Sequence, residues 1–546
     1  MHRAGIFLVV FYFLVDLQFS HQRSTPGSAT YTAAVVEYAP PLGVTMDNKE
    51  EHFRHNVEAY RQFAETAAGM EADIIVFPEY GLVSLGLPRH PDGSPALAVT
   101  VPAPSEAVIP CLDTPSGQYE GLRNLSCAAR DNAIYMVVNL PEKSSQDEDD
   151  VFYNANVVFD RQGAVIARYR KTHLFGETGL TSPPETDFTF FETDFGVRFG
   201  TFICFDLMFE QPGMKLVQEL GVRDIVFPTA WFSELPFLTA VQAQDSWALA
   251  MDVNFLGAGY NYPQVGSGGS GIYAGRKGAV VATMPDTRGS YLLVASVLKK
   301  YSENEDHDVR SGFIIPVSPD REMLSKGFER EEMDDKLDKE KNKLKSYCPE
   351  KEHLYTGGHR AVDHGYLLKK EHLEKYTSLQ LTPQTALYRD QFTLSSGEFH
   401  CTFKMKMNFS LETPVLSERQ PTYHLVAFDG VRTFDGVATG GLQVCAILLC
   451  ANDKFDSCGS LVENPGSRYS SFRDIEISGE FNGDHSVILP STLADDRLLP
   501  VPATSFEFQT TPAPGGKLQV VMKSSEEHFT FLTFGIYGRN FIKDSS

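Results

Sequence analysis

The 546-residue sequence lacks features that would assign it to several common classes of protein. It has no excess of basic residues, since its formal net charge at pH 7 is -23. This acidity argues against nucleic acid or an anionic membrane surface as a partner. None of the eight cysteines shows the paired CxxC spacing of a zinc site, so no metal site is expected.

Long apolar runs are absent beyond the first twenty residues. The run from Ile6 to Val15 is too short to span a bilayer and fits the hydrophobic part of a signal peptide, predicted here as residues 1–20. The C-terminal run from Phe529 to Tyr537 alternates and then meets charged residues, which is typical of a strand rather than a lipid-anchor signal. We therefore expect a secreted, extracellular protein without a membrane span or lipid anchor.

Two Asn-x-Ser sequences, at Asn124 and Asn408, are candidate glycosylation sites and favour the secretory route. An oxidising compartment also favours disulfides among the cysteines. The even number of cysteines would allow all of them to pair. If one is a free thiol, however, at least one other must also lack a partner. The cysteines are residues 111, 127, 204, 348, 401, 445, 450 and 458.

The first 317 residues alternate between strand-like and helical patterns. "YTAAVVEY" (31–38) is typical of a strand, apolar residues then recur at helical spacing from Phe53 to Ala67, and "DIIVFPEY" (73–80) is typical of a buried strand. This order is a βαβ pattern and predicts α/β architecture. Further strands are predicted at 132–140, 152–160, 164–171, 197–205, 224–231 and 255–260, and helices near 213–220 and 238–253.

The remainder of the chain differs in character. Residues 318–375 are rich in charges of both signs and are predicted to be a linker or helical connection, and residues 376–546 are β-rich. The segment 398–412 alternates strictly, which predicts a half-buried strand with Cys401 on the buried face and Asn408 on the solvent face. No catalytic set stands out here, so this part is expected to be an accessory domain.

Three reactive side chains each follow a strand-like run, and open α/β sheets build their sites where strands end. The first is Glu79 in "IIVFPEYGL". A carboxylate at the tip of a buried strand is poorly solvated, which raises its pKa and suits it to act as a general base. The alternative is a solvated loop glutamate.

The other two are Lys171, in a basic cluster after "AVIA", and Cys204, after the apolar run "FGTFI". Lys171 is either a cation at a solvated strand edge or a fixed charge beside a developing oxyanion. Cys204 is a nucleophile if a cation or base lies close by, and otherwise a buried structural thiol or half of a disulfide. Each residue is ambiguous alone, and the inference rests on their order and contexts together.

These contexts resemble a known family. Glu79 in "FPEYGL", Lys171 in "YRKTHLFGE" and Cys204 in "ICFDLMFE" are similar, in order, to the Glu–Lys–Cys triad of the nitrilase superfamily. "CFDLMFEQPG", "DIVFPTAWFSELPFLTAVQAQDSWALAMDVNFLGAGYNYP" and "GSGIYAG" resemble the vanin and biotinidase branch. The resemblance covers nearly the whole chain and is strongest over residues 30–300.

The resemblance implies a four-layer αββα sandwich as the catalytic domain, over residues 25–317, and a β-rich C-terminal domain after it. It also implies hydrolysis of a small-molecule linear amide through a cysteine thioester, without metal or organic cofactor. Vanins cleave pantetheine to pantothenate and cysteamine, which is the expected reaction here. Release of biotin from biotinyl amides is the alternative. A further alternative is an inactive secreted binding protein, although all three triad residues are intact.

Residue roles are implied in the same way. Glu79 takes the thiol proton of Cys204, while Lys171 and the backbone N–H of Phe205 hold the oxyanion. Glu142, in "NLPEK", lies where many nitrilase-type enzymes keep a second glutamate that positions substrate or the lysine. An exposed strand-end glutamate is the alternative for Glu142.

Three neighbouring residues remain to be assigned. Trp231, after "FPTA", is expected to end a strand near Cys204 and to wall the substrate pocket, unless it is a core aromatic. Asp206 is expected to be structural, because Glu79 already supplies the base. A Cys/His hydrolase using His173 is disfavoured, since the sequence has no papain-like cysteine context.

Overall fold

The computed structural model describes most of the two regions that the sequence predicts to be folded. The predicted signal peptide, the Cys348 position and residues 318–365 of the predicted linker lie outside the described residues. The described residues are 23–87, 92–113, 120–144, 150–300, 312–317, 366–382, 387–409, 421–462, 470–494, 498–524 and 531–544.

Strands and helices alternate over the first part of the chain, as predicted. The strands are β1 (Thr30–Glu37), β2 (Ile74–Val76), β3 (Val99–Thr100), β4 (Tyr135–Ser144), β5 (Val151–Phe159), β6 (Val165–Arg170), β7 (Phe190–Glu192), β8 (Arg198–Thr201), β9 (Asp224–Thr229), β10 (Glu234–Leu235), β11 (Asn254–Gly259), β12 (Ser270–Ala274), β13 (Ala279–Thr283), β14 (Tyr291–Leu298) and β15 (Phe313–Pro316). The helices are α1 (Lys49–Gly69), α2 (Glu120–Asn132), α3 (Gly213–Gln218) and α4 (Ala240–Met251). The helix predicted around Phe53 to Ala67 is therefore confirmed as α1, whereas α2 was not predicted.

All of these strands except β10 form two mixed sheets. The first sheet has the order β15-β14-β1-β2-β4-β5-β6, with β3 added beside β4, and the second has the order β13-β12-β11-β9-β8-β7. Parallel pairing occurs at the centre of each sheet, between β1, β2 and β4 and between β8, β9 and β11. The strands that carry the expected active-site residues thus lie within both sheets.

The two sheets pack face to face. Ile74 and Val76 of β2 share a buried apolar cluster with Val226 and Leu256 of the second sheet. Because successive side chains of a strand point to opposite faces, Ile75 belongs to a different cluster on the outer side. Burial of each such side chain contributes roughly 1.5–3 kcal/mol.

Helices cover the outer face of each sheet. On the first sheet, Tyr60 and Phe63 of α1 pack in the cluster that contains Ile75. On the second sheet, Trp247 of α4 packs against Phe255 and shares a buried cluster with Phe227. The order of layers is helix, sheet, sheet, helix, which confirms the predicted αββα sandwich.

The described part of the chain after residue 365 is almost entirely β-structure, as predicted. Its strands are β16 (Lys369–Lys370), β17 (Thr377–Gln380), β18 (Leu387–Ser396), β19 (Phe399–Phe409), β20 (Thr422–Phe434), β21 (Ala438–Cys450), β22 (Ser470–Asn482), β23 (Ser486–Leu493), β24 (Glu507–Ala513), β25 (Lys517–Ser524) and β26 (Thr533–Asn540). All of them except β16 form a third sheet, β17-β20-β21-β26-β23, and a fourth, β18-β19-β22-β25-β24. The alternation predicted for β19 is confirmed, since Cys401 and Phe403 are buried while Lys404 is exposed.

The third sheet is buried on both of its faces. Leu425 and Ala427 of β20 pack with the fourth sheet, whereas Val426 and Phe428 belong to the cluster that contains Trp247 of α4. In addition, β16 pairs in parallel with β10 of the first part of the chain. The third sheet is therefore the contact between the C-terminal strands and the αββα sandwich.

Six of the cysteines form disulfides, Cys111–Cys127, Cys401–Cys445 and Cys450–Cys458. The second of these joins the third and fourth sheets. Cys204 is the free cysteine among the residues described. None of the helices in the described ranges is long and apolar enough to cross a membrane.

Candidate active site

Three strands that end near one another carry the predicted triad. Glu79 follows β2, Lys171 follows β6 directly, and Cys204 follows β8. All three residues are buried, with Glu79 and Lys171 each about 1% exposed and Cys204 about 6%. The fold therefore brings together side chains that are far apart in sequence.

A buried ion pair joins two of these residues. Lys171 Nζ lies 2.8 Å from Glu79 Oε1 and 2.7 Å from Glu177 Oε1. Glu177 is itself held by the hydroxyl of Tyr80, at 2.8 Å, and by the backbone N–H of Phe175. One ammonium group is thus shared between two carboxylates inside the protein.

Further donors fix the carboxylate of Glu79. The Asn154 amide donates to Oε1 at 2.8 Å, and the backbone N–H of Ala230 donates to Oε2 at 2.9 Å. Asn154 also donates to the Tyr80 hydroxyl at 2.7 Å, so the same amide orients both sides of the network. Such contacts hold the carboxylate of Glu79 in one orientation, as a general base would require.

Burial has the largest effect on the pKa of Glu79. It raises the pKa of Glu79 above its ordinary value; the Lys171 ammonium lowers that pKa and the charge of Glu177 raises it again. For Lys171, burial lowers the pKa, but the charges of Glu177 and Glu79 outweigh it and raise the pKa well above its ordinary value. The lysine is therefore a permanent cation, and the glutamate is a better base than a solvated carboxylate.

Cys204 is placed by a sharp change of chain direction. The strand predicted over residues 197–205 ends at Thr201, and Cys204 begins a short 3₁₀ helix, Cys204–Met208, with φ of 48°. A positive φ is uncommon for a residue with a side chain and is typical of functional sites. Burial raises the pKa of the Cys204 thiol, and the charge of Glu79 adds to this, so the resting group is a neutral thiol.

The Cys204 thiol lies in the wall of an open pocket. The empty space in the pocket and across its open mouth is about 470 Å³. Its lining residues are Phe175, Cys204, Phe205, Met208, Ala230, Trp231, Phe232, Glu234, Leu238, Lys369, Phe434 and Asp435. The lining is mostly aromatic and aliphatic, with charged residues from both parts of the chain.

Two predicted substrate-binding residues lie in this pocket. Phe205 follows Cys204 directly, and its ring packs edge-on against Phe175. Trp231 lines the same pocket and donates from its indole N–H to the backbone oxygen of Leu238, at 2.9 Å. Trp231 and Cys204 thus line one pocket, whereas a role of Trp231 in substrate binding stays a prediction.

Glu142 differs from the sequence prediction in its contacts. Its carboxylate binds Arg170 at 2.7 Å and Arg168 at 3.0 Å, and within the described residues it has no contact with Lys171. Arg168 and Arg170 share one face of β6, the face toward which Glu142 points, whereas Lys171 lies beyond the end of that strand. The second carboxylate beside Lys171, in addition to that of Glu79, is instead Glu177, which sequence reasoning did not identify.

Asp206 and His173 have structural roles here, as expected for Asp206. Asp206 accepts from the Tyr169 hydroxyl at 2.8 Å and from the backbone N–H groups of Ile203 and His173. The ring of His173 lies 2.9 Å from Asp206 and stacks on Phe209 with a centroid distance of 3.7 Å. The imidazole is thus engaged in holding the turn that carries Cys204.

The two predicted glycosylation positions lie at the surface to different degrees. Asn124 is exposed on α2, and Asn408 is half-buried on β19.

Among the described residues, His424, Cys450 and Cys458 bring possible metal-ligand atoms close to one another. The two sulfur atoms are joined in a disulfide, so they do not form a thiolate ligand set.

Comparison with known proteins gives two family matches, one in each of the two parts of the chain. Residues 32–248 match the carbon-nitrogen hydrolase family, and residues 366–544 match the vanin C-terminal domain. The second match begins within the segment that was predicted to be linker, at the strand β16.

Full-length relatives extend this similarity. The chain is 33% identical to vanin-like protein 1 of Drosophila melanogaster, over 95% of this chain and 87% of the relative. It is 30% identical to the pantetheinase of Homo sapiens, over 94% of this chain and 90% of that protein. It is also 29% identical to the biotinidase of Bos taurus, over 87% of each chain.

Among solved structures, Nit3 of Saccharomyces cerevisiae, a member of branch 10 of the nitrilase superfamily, is 22% identical to this chain. The match covers 51% of this chain and 94% of Nit3, with a TM-score of 0.40. The conclusion on family rests on the family models and on the full-length relatives. The chain belongs to the vanin and biotinidase branch of the nitrilase superfamily and is a hydrolase of carbon–nitrogen bonds.

Proposed function

We propose that the protein is an extracellular amidohydrolase that cleaves pantetheine to pantothenate and cysteamine through a thioester on Cys204. The observation that carries the proposal is the buried pair of Glu79 and Lys171, 2.8 Å apart, in the site that contains a free cysteine. Similarity to the pantetheinase of Homo sapiens over nearly the whole chain supports the choice of substrate.

In the first half of the reaction, Glu79 takes the thiol proton of Cys204 as the sulfur attacks the amide carbonyl. The raised pKa of the thiol means that little thiolate exists at rest, so the proton must leave as the bond forms. The raised pKa of Glu79 suits it to receive that proton. Attack converts the carbonyl into a tetrahedral intermediate with a negative oxygen.

Lys171 and the backbone N–H of Phe205 stabilise that oxygen. Lys171 is a fixed ammonium group held in a water-poor site by two carboxylates, so it needs no reorganisation when the charge develops. A single donor of this kind is worth on the order of 3 kcal/mol in the transition state. The donor beside the nucleophile comes from the turn of the 3₁₀ helix that begins at Cys204.

In the second half, Glu79 returns its proton to the leaving amine nitrogen and the carbon–nitrogen bond breaks. A water molecule then gives a proton to the same carboxylate and attacks the thioester carbon. Collapse of the second tetrahedral intermediate releases the carboxylic acid, and the sulfur of Cys204 recovers its proton from Glu79. Each proton and electron pair is accounted for by side chains of this chain and water.

An extracellular site of action is supported by chemistry elsewhere in the molecule. Three disulfides among the described residues are typical of an oxidising compartment. Asn124, in one of the two glycosylation sequences, is exposed and could carry a glycan.

The second candidate is hydrolysis of biotinyl amides, which is favoured by the similarity to the biotinidase of Bos taurus. The triad acts on the amide alone and does not distinguish the two acyl groups. Purified protein should therefore be assayed side by side with pantetheine and biocytin. A higher kcat/KM for pantetheine is the expected result, and a higher value for biocytin would replace the proposed substrate.

Cys204→Ala tests the chemistry itself. We expect the variant to be secreted and folded, with no turnover of either amide, because it has no nucleophile. Turnover equal to that of the wild type would overturn the mechanism. A binding protein without activity would be indicated if wild-type Cys204 neither turned over these amides nor reacted with a thiol-directed reagent in competition with them.

A further inference from the structure

The hairpin formed by β20 and β21 ends in a tight turn at Asp435 and Gly436. The turn is closed by a hydrogen bond from Val437 N–H to the Phe434 oxygen, at 2.9 Å. Asp435 and Gly436 both have positive φ, 51° and 72°, as the two central residues of a hairpin turn require. An Asp-Gly pair suits this geometry, so the tip is a defined structure.

This hairpin tip, residues 434–437, reaches the candidate active site. The ring of Phe434 lies 5.8 Å from that of Phe205, and Phe434 and Asp435 both line the pocket that contains Cys204. Val437 approaches Gly176, where a Cβ would lie 3.9 Å from its Cγ2 atom. Part of the pocket wall next to the nucleophile therefore comes from the C-terminal strands.

Lys369 faces the hairpin tip from the strand β16. Its ammonium group forms an ion pair with Asp435 and lies 5.4 Å from the ring centre of Phe232. The side chains of Lys369 and Asp435 are each about one third exposed, at 36% and 35%. The pair is thus reachable from solvent and lines the same pocket as the thiol.

Both halves of this pair are held firmly by a buried charge network. Arg432, three residues before Asp435, binds Glu234 at 2.6 Å and Glu371 at 2.9 Å. Glu234 belongs to β10, which pairs with the strand that carries Lys369. The network ties the hairpin, β16 and the catalytic region together, so the pair has a fixed position relative to Cys204.

The chemistry of this pair differs from that of the rest of the pocket. Three of the residues that line the pocket are charged, and Glu234 is already neutralised by Arg432. The remaining pair offers N–H donors and carboxylate acceptors side by side with no net charge. An uncharged group that both donates and accepts, such as a second amide or a hydroxyl, matches this arrangement, whereas an alkyl chain leaves it unused.

We propose that Lys369 and Asp435 are specificity-determining residues, which bind an uncharged amide or hydroxyl group of the substrate at the pocket mouth while its scissile amide reaches Cys204. This inference rests on the proposed function and deepens it. It also makes the C-terminal strands part of the substrate site, where the sequence predicted an accessory role.

Two amides with the same fluorogenic leaving amine test the proposal in the full-length protein. One carries a pantothenoyl group, with an internal amide and hydroxyls, and the other a plain alkanoyl chain of equal length. In Lys369→Met and in Asp435→Asn, we expect KM for the pantothenoyl amide to rise about tenfold, as for loss of one hydrogen bond to a charged group. We expect kcat, and both constants for the alkanoyl amide, to stay within about twofold.

The variants are chosen to preserve the fold. Asparagine tolerates positive φ, so Asp435→Asn keeps the turn. Lys370→Met is the matched control, because Lys370 is the next residue of the same strand and contacts the Asp456 oxygen and Ser460, outside the pocket. It should leave both amides unaffected.

Equal losses for the two amides would overturn the proposal, as would an unchanged KM for the pantothenoyl amide. Failure of the proposed function is distinguishable, because wild-type protein would then cleave neither amide. In that event, calorimetric titration of Cys204→Ala with the pantothenoyl amide still decides the matter. A Kd about tenfold higher after adding Lys369→Met supports the pair, and an unchanged Kd refutes it.

Discussion

The guanidinium of Arg539 donates from Nε to the backbone oxygen of Met208, at 3.0 Å. Met208 ends the 3₁₀ helix that Cys204 begins, and Arg539 lies on β26 of the third sheet. Arg539 is about 1% exposed and is also bound to Asp544 at 2.7 Å. A residue from the C-terminal strands thus holds the turn on which Cys204 lies.

Arg539→Met should impair both stability and catalysis. Loss of a buried, paired charge leaves Asp544 without its partner and lowers the free energy of unfolding by about 3 kcal/mol. Because the turn of Cys204 loses its anchor, kcat should also fall about tenfold while KM changes little. Denaturant titration and steady-state kinetics measure the two effects.

Asp544→Asn is the control for Arg539→Met, because in that variant the guanidinium of Arg539 still donates to the backbone oxygen of Met208. It should reduce stability less and leave kcat within about twofold of wild type. A stable Arg539→Met protein with the wild-type kcat would show that the turn holds its geometry without this anchor.

Lys171→Met should lower kcat by a factor on the order of 100–1,000, as expected for loss of an oxyanion donor. Arg168→Gln is a nearby control, because Arg168 is a cation of the same strand end that binds Glu142, and Arg170 still binds Glu142 in its absence. We expect its kcat to stay within about twofold. Unchanged rate constants in Lys171→Met would remove the oxyanion role of the lysine.

As the pH is lowered, kcat/KM should fall with a midpoint above pH 4.5, which is the ordinary pKa of a glutamate. The reason is that Glu79 acts as a base only when it is ionised, and its pKa is raised. Glu177→Gln removes one of the two charges that influence Glu79 most directly. Without the negative charge of Glu177, the pKa of Glu79 should fall, and the midpoint should move to lower pH. The pH profiles of the two proteins measure this shift, and a midpoint that stays in place or moves upward contradicts it.

Asp245 of α4 is buried, and in the described part of the chain its Oδ1 has no hydrogen-bond partner. Burial raises its pKa to about 7 from an ordinary 3.8. A carboxyl with a higher pKa when folded binds more protons in the folded state, so the free energy of unfolding falls as pH rises from about 4 to 7. Asp245→Asn has no carboxyl to ionise, so its free energy of unfolding should not fall in this way. At pH 8 it should be more stable than wild type by on the order of 2–4 kcal/mol.

Asp252, at the end of the same helix, should make stability change with pH in the opposite direction to Asp245. Its pKa is lowered, because the hydrogen bond and charge of Lys300 outweigh the effect of burial. Its contribution to stability is present above pH 3.8 and is lost as pH falls through the lowered pKa. Asp252→Asn should therefore be less stable than wild type at neutral pH. Denaturant titrations at pH 4, 6 and 8 distinguish the two variants, and parallel curves for Asp245→Asn and wild type would contradict the prediction for Asp245.

The apolar patterns predicted the α/β architecture and the strands that precede Glu79, Lys171 and Cys204, whereas the four-layer arrangement was implied by the family resemblance and β8 ends earlier than predicted, at Thr201. Period-two and helical apolar patterns set these elements, because each sheet face and helix face must be buried. The sequence was less informative for Glu177, whose contact with Lys171 depends on how the loop after β6 turns back toward its own start. No periodic pattern encodes such a return.

Glu142 illustrates the same limit from the other side. The sequence left Glu142 open between a second active-site glutamate and an exposed strand-end residue, and the structure shows it buried with Arg168 and Arg170 as partners. These partners follow from the face that the two arginines share on β6, which the residues around Glu142 do not encode. The Asp435-Gly436 turn was detectable as a hairpin signal. That its tip meets Phe205 was not, since contacts between distant elements are fixed by packing rather than by local sequence.

The third sheet, with apolar side chains on both faces, joins two regions that the sequence separates into domains. Pulling the C-terminal strands away would expose the Val426 and Phe428 face to water, together with the surface around Trp247 that it covers. Each region would then lose its share of the cluster that the two regions form together. The molecule should behave as a single cooperative unit, with one calorimetric unfolding transition whose van't Hoff enthalpy equals the measured enthalpy.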